Sequence, residues 1–217
     1  MAKYLAGIDA GTTGVTVMIT DMSGNVIGTG YREYPCKYPH PGWVEQDMNL
    51  VWEKICEASR EVLAKTGVDP KEIASLGFSS QRGTFVAIDK DWNCLHDSIV
   101  WNDGRAVEEV KWIEEKLGAD KYHEISGVPL SAMWAYAKFK WVIDHRPDLY
   151  EKAWKFVNGQ EWFLHKLGSE VIFSDPASLT LNGMMDVANL TWSEDLCSLI
   201  GLSLDKLPPI GTPMTQV

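Results

Sequence analysis

Apolar and polar positions alternate through residues 4–10, 15–21 and 26–33. That period of two predicts three strands joined by tight turns, the second turn at Ser23-Gly24. A loop rich in proline and aromatic residues follows over 34–48, and the period then changes. Val51, Ile55, Ala58 and Val62 recur at helical spacing, predicting a helix over 49–65, with Asp47 or Asn49 as cap and Gly67 past its end. Strands are expected over 75–80 and 84–89, around Gln81-Arg82-Gly83, with a turn from Asp89 to Asn93. Val107, Val110, Ile113 and Leu117 form one stripe of a helix over 103–117, with Gly118 as its stop. A second helix is expected over 131–145, closing before Pro147. Shorter helices are expected over 160–167 and 193–200, and a strand over 170–174. No internal repeat or low-complexity segment interrupts this order. Strands alternating with helices give an α/β chain with a mixed sheet.

The first turn carries the densest chemistry. Leu5-Ala6-Gly7-Ile8-Asp9-Ala10-Gly11-Thr12-Thr13-Gly14 reads as a strand, then a turn of small residues beside one carboxylate. The two turn glycines are expected to allow backbone angles with φ > 0. Successive N–H groups there can form an anion-binding nest, flanked by the Thr12 and Thr13 hydroxyls. Asp9 closes the first strand, where a carboxylate can hold magnesium or a metal-bound water. An ordinary hairpin is the plain alternative. The turn is not a Walker loop, because no Gly-Lys-Ser/Thr follows. A β-branched run (Val15, Thr16, Val17, Ile19) also excludes the dinucleotide fingerprint, which needs a helix there.

Composition narrows the partners. The formal net charge is −10 and no basic stripe exists, which argues against a nucleic-acid binder. Cys36, Cys56, Cys94 and Cys197 are scattered without a C-x-x-C pair, so neither a metal cluster nor a disulfide framework is expected. His40, His96, His123, His145 and His165 lack metal-ligand spacing. No run approaches a membrane span, no signal peptide is evident, and a cytoplasmic location is expected by default.

Several segments, taken in order, resemble one family. They are the first turn, then Tyr38-Pro39-His40-Pro41-Gly42-Trp43-Val44-Glu45-Gln46-Asp47, then Gly77-Phe78-Ser79-Ser80-Gln81-Arg82. Ile99-Val100-Trp101-Asn102-Asp103-Gly104-Arg105, Lys138-Phe139-Lys140-Trp141 and Ser174-Asp175-Pro176-Ala177-Ser178 complete the set. Together they resemble the FGGY carbohydrate kinases, which include glycerol kinase and xylulokinase. The resemblance implies a ribonuclease-H-like (actin-like ATPase) core with sugar-binding insertions. It covers the whole chain as one N-terminal kinase domain, and implies transfer of the γ-phosphate of ATP, with Mg2+, to a hydroxyl of a small ketose or polyol.

It also implies roles. Asp9 lies on the magnesium side as the catalytic carboxylate, and Gly11, Thr12 and Thr13 touch the phosphates. Many members carry Lys or Arg at the position of Thr16, which supplies no charge here. Gln81, Arg82, Trp101, Asn102, Asp103 and Trp134 are the substrate candidates. Arg presents a rigid fork of donors, and Trp101 with Asn102 offers an apolar wall and a polar rim. Asp103 is read as helix N-cap or substrate contact, Arg105 as structural, and Trp112 and Trp141 as core. Gln81-Arg82-Gly83 lacks the Glu of glycerol kinases and the Met-His of xylulokinases. A xylulose-like substrate is favoured, with glycerol and the autoinducer-2 signal as alternatives.

Gly183-Met184-Met185-Asp186 spells the family's catalytic-base pattern, but its surroundings match an earlier strand, so Asp186 is not expected to be the base. Members run to about twice this length. The base is expected beyond Pro208-Pro209-Ile210-Gly211-Thr212-Pro213, in a partner C-terminal kinase domain. A non-catalytic sugar-binding half-module is the rival reading, and homodimerisation stays open.

Overall fold

The computed structural model describes residues 3–211; Thr212 and Pro213 lie outside the described residues. In chain order the first elements are β1 (Tyr4–Ala10), β2 (Gly14–Asp21), β3 (Val26–Glu33), β4 (Glu45–Gln46), α1 (Met48–Thr66) and β5 (Ile73–Ser80). Then come β6 (Phe85–Ile88), β7 (Ser98–Ile99), α2 (Val107–Leu117), α3 (Ala119–Ser126), α4 (Ala135–His145) and α5 (Pro147–Lys152). The last are β8 (Lys155–Asn158), α6 (Gly159–Lys166), α7 (Pro176–Leu179), β9 (Met185–Asp186), β10 (Thr191–Trp192) and α8 (Glu194–Ile200). They fall into two compact units, Met1–Cys36 with Gln46–Gln81, and Lys37–Glu45 with Arg82–Val217.

The first unit is a mixed sheet of order β3-β2-β1-β5, antiparallel except for the parallel β1–β5 pair. Val15, Val17 and Ile19 alternate inward on β2 and meet the α1 stripe of Val51, Ile55, Ala58 and Val62. Burial of that stripe, more than helix propensity, holds α1 in place. Helix and sheet approach so closely that a Cβ at Gly30 would stand 2.4 Å from the Ala58 carbonyl oxygen. The Asp47 carboxylate caps α1 by accepting from the Asn49 and Leu50 amides, and Gly67 ends it in the left-handed region at φ 68°.

The second unit has a small sheet of order β4-β7-β6-β8, to which β4 contributes Glu45. Phe85, Phe139 and Phe156 pack together at its centre, surrounded by Ile113, Tyr122, Tyr136 and Leu196. Trp112 and Trp141 pack partly buried against this core.

Several boundaries depart from the expected pattern. α2 begins at Val107 rather than residue 103, because the Asp103 carboxylate folds its own loop and Ala106, which has no capping side chain, precedes the helix. Gly118 stops α2 as expected, but its φ of 85° redirects the chain straight into α3. α4 begins at Ala135, and α5 starts on Pro147, whose missing N–H costs nothing at a first helical turn. β8 also escaped the pattern. The strand expected over 170–174 is absent: only Ser174 bridges, to Ile210, and Val171 is solvent-exposed.

Candidate functional site

The β1–β2 turn is organised by its carbonyl groups. Gly14 O accepts from the Gly11 amide at 3.0 Å, and Thr13 O from the Tyr34 amide at 3.2 Å. The Tyr34 hydroxyl donates its one proton to Gly11 O at 2.7 Å, with Gly14 O as a second acceptor at 3.1 Å. Gln46 Nε2 donates to Thr12 O at 2.9 Å. All four turn carbonyls are therefore satisfied by protein donors. Thr13 is exposed and keeps its amide and hydroxyl for solvent or a ligand.

Neither Gly11 nor Gly14 has positive φ, contrary to expectation. Gly14 is needed for space instead: a Cβ there would stand 2.5 Å from the Tyr31 hydroxyl and 2.7 Å from Arg32 O. Burial pushes the Tyr34 phenol well above its usual range, and the nearby Asp9 charge pushes the same way. Asp9 itself is exposed at the end of β1, in register with Thr16 on β2 and Ser79 on β5.

Gln81, expected as a substrate contact, engages its side-chain amide within its own unit. Its Nε2 donates to Gln46 Oε1 at 2.6 Å and its Oε1 accepts from the Thr12 hydroxyl at 3.1 Å. Its amide is thus engaged with the first turn. Gln46 is 1% exposed and forms the middle of this network.

In the second unit, Arg82 is exposed, and the next residue, Gly83, turns the chain at φ +69°. An ideal Gly83 Cβ would lie 3.3 Å from Leu181 O and 3.4 Å from Trp101 Cβ, and one at Gly183 would lie 3.2 Å from Trp134 Cβ. Arg82-Gly83, Trp101 and Trp134 thus border the same Leu181-to-Gly183 segment. Trp134 is half-buried directly before α4 and donates through Nε1 to Pro129 O. Asn102 is exposed.

Lys138 secures this wall from behind. It is fully buried, and its ammonium donates to Val100 O (3.0 Å), Trp101 O (2.7 Å) and Met133 O (2.9 Å). Burial pushes its pKa down to about 7, while the Asp103 charge pulls the other way.

Asp103 is not the cap of α2, which Ala106 precedes; it is a buried anchor of its own loop. It is 1% exposed. Its carboxylate accepts from the Val44 amide, from the Arg105 amide (2.9 Å), from Arg105 Nε (2.8 Å) and from an Arg105 terminal nitrogen (2.8 Å). Arg105 also reaches Glu45 at 2.8 Å and lies against the Trp43 and Trp141 rings at 4.0 and 4.9 Å. No donor capacity of a ligand is needed to satisfy that carboxylate. Asp186 is a turn former: it accepts from the Ala188 and Asn189 amides and from the Asn189 side chain.

Gln46 and Lys138 were not singled out from sequence. Lys138 had a signal: it interrupts the otherwise apolar stripe Ala135, Phe139, Val142. A concavity of about 710 Å³ lined by Asp89, Asp91, Trp154 and Lys206 shares no residue with these groups. Its lining is charged and open, unlike a carbohydrate pocket. Among the described residues no cluster of His, Cys, Asp or Glu could hold a metal ion by itself, and no helix is long and apolar enough to cross a membrane.

Comparisons with known proteins agree on kinship. The chain is 31% identical over 214 residues to a glycerol kinase of Thermococcus onnurineus, covering 97% of this chain and 43% of that protein. Its fold matches a gluconate kinase from Lactobacillus acidophilus with TM-score 0.91 at 24% identity, covering 99% of this chain and 43% of that one. A ligand-bound xylulose kinase from the same organism matches equally, with TM-score 0.91 at 24% identity over 98% and 43% of the two chains. The chain thus spans less than half the length of these relatives, and the mixed α/β arrangement is the actin-like ATPase fold of such kinases. Residues 4–216 match the N-terminal domain of the FGGY family of carbohydrate kinases, and the chain belongs to that family.

Proposed function

We propose that this chain is the acceptor-binding, phosphate-gripping part of an ATP- and Mg2+-dependent kinase of a small sugar or polyol, acting in the cytoplasm. The observation that carries this reading is the Gly11–Gly14 turn. Its four carbonyls are satisfied from within, its outer side offers Thr13 N–H and hydroxyl, and an exposed carboxylate, Asp9, stands beside it. A polyphosphate needs donors, and its divalent cation needs a carboxylate or a carboxylate-held water. The residues present fit both. Magnesium supplies neutralisation of the phosphate charge when bound.

The chain's own groups do the rest. Thr13 and the turn amides orient the phosphate tail, and Asp9 stands toward the cation. Trp101 and Trp134 give the apolar C–H faces of the acceptor a wall, and Arg82 and Asn102 offer it polar contacts. Lys138 holds the Trp101 and Met133 backbones at fixed spacing. Proton removal from the attacking hydroxyl requires a base within hydrogen-bond reach. Asp186, occupied by its turn, is not that base, so the role falls to the kinase portion beyond this chain.

A xylulose-like ketose is the favoured acceptor because Trp101-Asn102-Asp103-Gly104-Arg105 resembles the xylulokinase segment more than the glycerol kinase one, with glycerol and autoinducer-2 behind it. Gly83, pressed against Leu181 and Trp101, leaves the pocket without the Glu or His that would mark glycerol or xylulose use in the family pattern. A melting-temperature panel of xylulose, glycerol, gluconate and other sugars tests this, since a ligand binding the native state raises its melting point. One polyhydroxy compound is expected to raise it, and Arg82→Ala to abolish the rise. A flat panel, or a rise untouched by Arg82→Ala, contradicts the acceptor site.

A further inference from the structure

Glu161 and Asn158 meet in the interior of the second unit, each 4% exposed. Asn158 ends β8, and Glu161 lies three residues on, in the first turn of α6. Glu161 Oε1 accepts twice, from Asn158 Nδ2 at 3.0 Å and from the Ser174 hydroxyl. Glu161 Oε2 accepts nothing, and neither does Asn158 Oδ1, although both atoms are buried. A carboxylate spreads its acceptor capacity over both oxygens, whereas a carboxylic acid has an O–H to donate. One proton on Oε2, directed at Asn158 Oδ1, answers both orphaned atoms at once and closes a two-bond ring between acid and amide. The titratable groups on α6 and beside Ser174 are engaged elsewhere: Asp175 with the Ala177 and Ser178 amides, His165 on the Trp92 ring, Lys166 over the Trp162 ring. Burial pushes the Glu161 carboxyl above its usual range, against the pull of its hydrogen bonds.

One segment carries this pairing to the acceptor wall. The Ser174 amide donates to Pro209 O at 2.8 Å, and its carbonyl accepts from the Gly211 amide at 2.9 Å. Four residues on, the Ser178 hydroxyl donates to Gln160 Oε1, on the residue before Glu161. Helix α6 thus grips the segment at two serines. The chain then runs through α7 to Leu181 and Gly183, which border Gly83, Trp101 and Trp134.

We infer that Glu161 is a positioning residue: paired with Asn158 as a neutral acid, it seats segment 174–183 against the acceptor wall, and loss of its proton loosens that seat. Its bearing on acceptor binding rests on the acceptor site proposed above; the acid–amide pair itself does not. Once ionised, Glu161 sets oxygen against the Asn158 oxygen with no proton between them, and the ring opens. Glu161→Gln rebuilds the ring without a titratable proton, because its NH2 donates where the O–H did.

The test sets the wild-type chain beside Glu161→Gln. At neutral pH the infrared difference spectrum is expected to show a protonated-carboxyl stretch that Glu161→Gln lacks. Amide resonances of residues 181–183 and the Trp101 and Trp134 indole resonances are then followed from about pH 7 to about pH 10, a range that buried glutamic acids reach. Wild type is expected to show a titration there that Glu161→Gln does not; Lys138, with its pKa of about 7, moves both chains alike. Calorimetry with xylulose and with glycerol completes the comparison. The two chains are expected to bind alike at neutral pH, and wild type to fall at least tenfold behind Glu161→Gln at the alkaline end. A difference spectrum without the carboxyl stretch overturns the inference, as does a Glu161→Gln chain that loses the acceptor at neutral pH. A purely structural Glu161 would lower the melting temperature of Glu161→Gln and leave the two pH profiles parallel, which also overturns it. If wild type binds neither compound, the acceptor site itself fails, while the infrared and resonance comparisons still decide the role of Glu161.

Discussion

The Asp103 carboxylate and the Arg105 guanidinium form a buried pair two residues apart, with side chains 0% and 3% exposed. Two aromatic rings and Glu45 complete the enclosure of the guanidinium. The pair holds the loop that carries Trp101 and Asn102.

Asp103→Asn should therefore act on stability. Breaking one side of a buried ion pair costs about 3–5 kcal/mol, because the remaining charge is left uncompensated. Urea unfolding measures it. A variant as stable as wild type, but deaf to every sugar that binds wild type, would mark Asp103 as a substrate contact.

Lys138→Met removes the donor that reaches three carbonyl oxygens, all three as the ammonium and two at a time as the neutral amine, and unsatisfied buried acceptors cost about 1–3 kcal/mol each. The pH signature is specific. The native pKa is about 7 against an ordinary 10.5. The unfolded chain holds a proton at Lys138 between those values that the native chain does not. The Lys138 contribution is thus fullest above about pH 10.5 and is lost as pH falls toward about 7. Wild-type stability minus Lys138→Met stability should rise with pH across that window. A difference independent of pH would contradict the assignment.

His96 carries a second titration. Its Nε2 accepts from the Ala87 amide at 3.1 Å and its Nδ1 donates to Asp97 O. Burial pushes its pKa from an ordinary 6.5 down to about 4. Below about pH 6.5 the unfolded chain takes up a proton that the native chain refuses, so stability falls as pH drops toward about 4. The loss reaches about 3 kcal/mol, since each tenfold difference in proton affinity is worth roughly 1.4 kcal/mol. Urea midpoints of wild type and His96→Gln, measured from pH 7 to 4.5, should converge or cross. Parallel curves would contradict a neutral buried imidazole.

The hairpin strands and α1 were legible in the sequence because their signals are local: alternation, helical spacing, an Asp cap and a terminal Gly. α3, α5 and β8 were not. α3 follows α2 after a single glycine, α5 follows α4 after a single residue, and β8 is a four-residue strand with no periodicity of its own. The candidate site was legible only as proposals. Asp9, Thr13, Arg82, Trp101 and Trp134 could be proposed from motif order. Gln46, Gln81 and Lys138 act through partners 35 to 69 residues away in sequence, and a linear pattern does not report such closures.

Asp9→Asn should leave the fold unchanged, since the carboxylate is exposed and no described hydrogen bond or ion pair depends on it. Melting temperatures of the two chains should agree within about one degree, in keeping with the small effects of surface substitutions. A large loss of stability would mark Asp9 as structural.

The most direct test of the central claim is an amide nuclear magnetic resonance titration of the labelled chain with MgATP, run on wild type and Asp9→Asn. Wild-type shifts are predicted to concentrate at the Gly11–Gly14 turn and the end of β1, and to vanish in Asp9→Asn with the rest of the spectrum preserved. Shifts confined to other segments, or an Asp9→Asn chain that responds as wild type does, would contradict a phosphate grip at that turn.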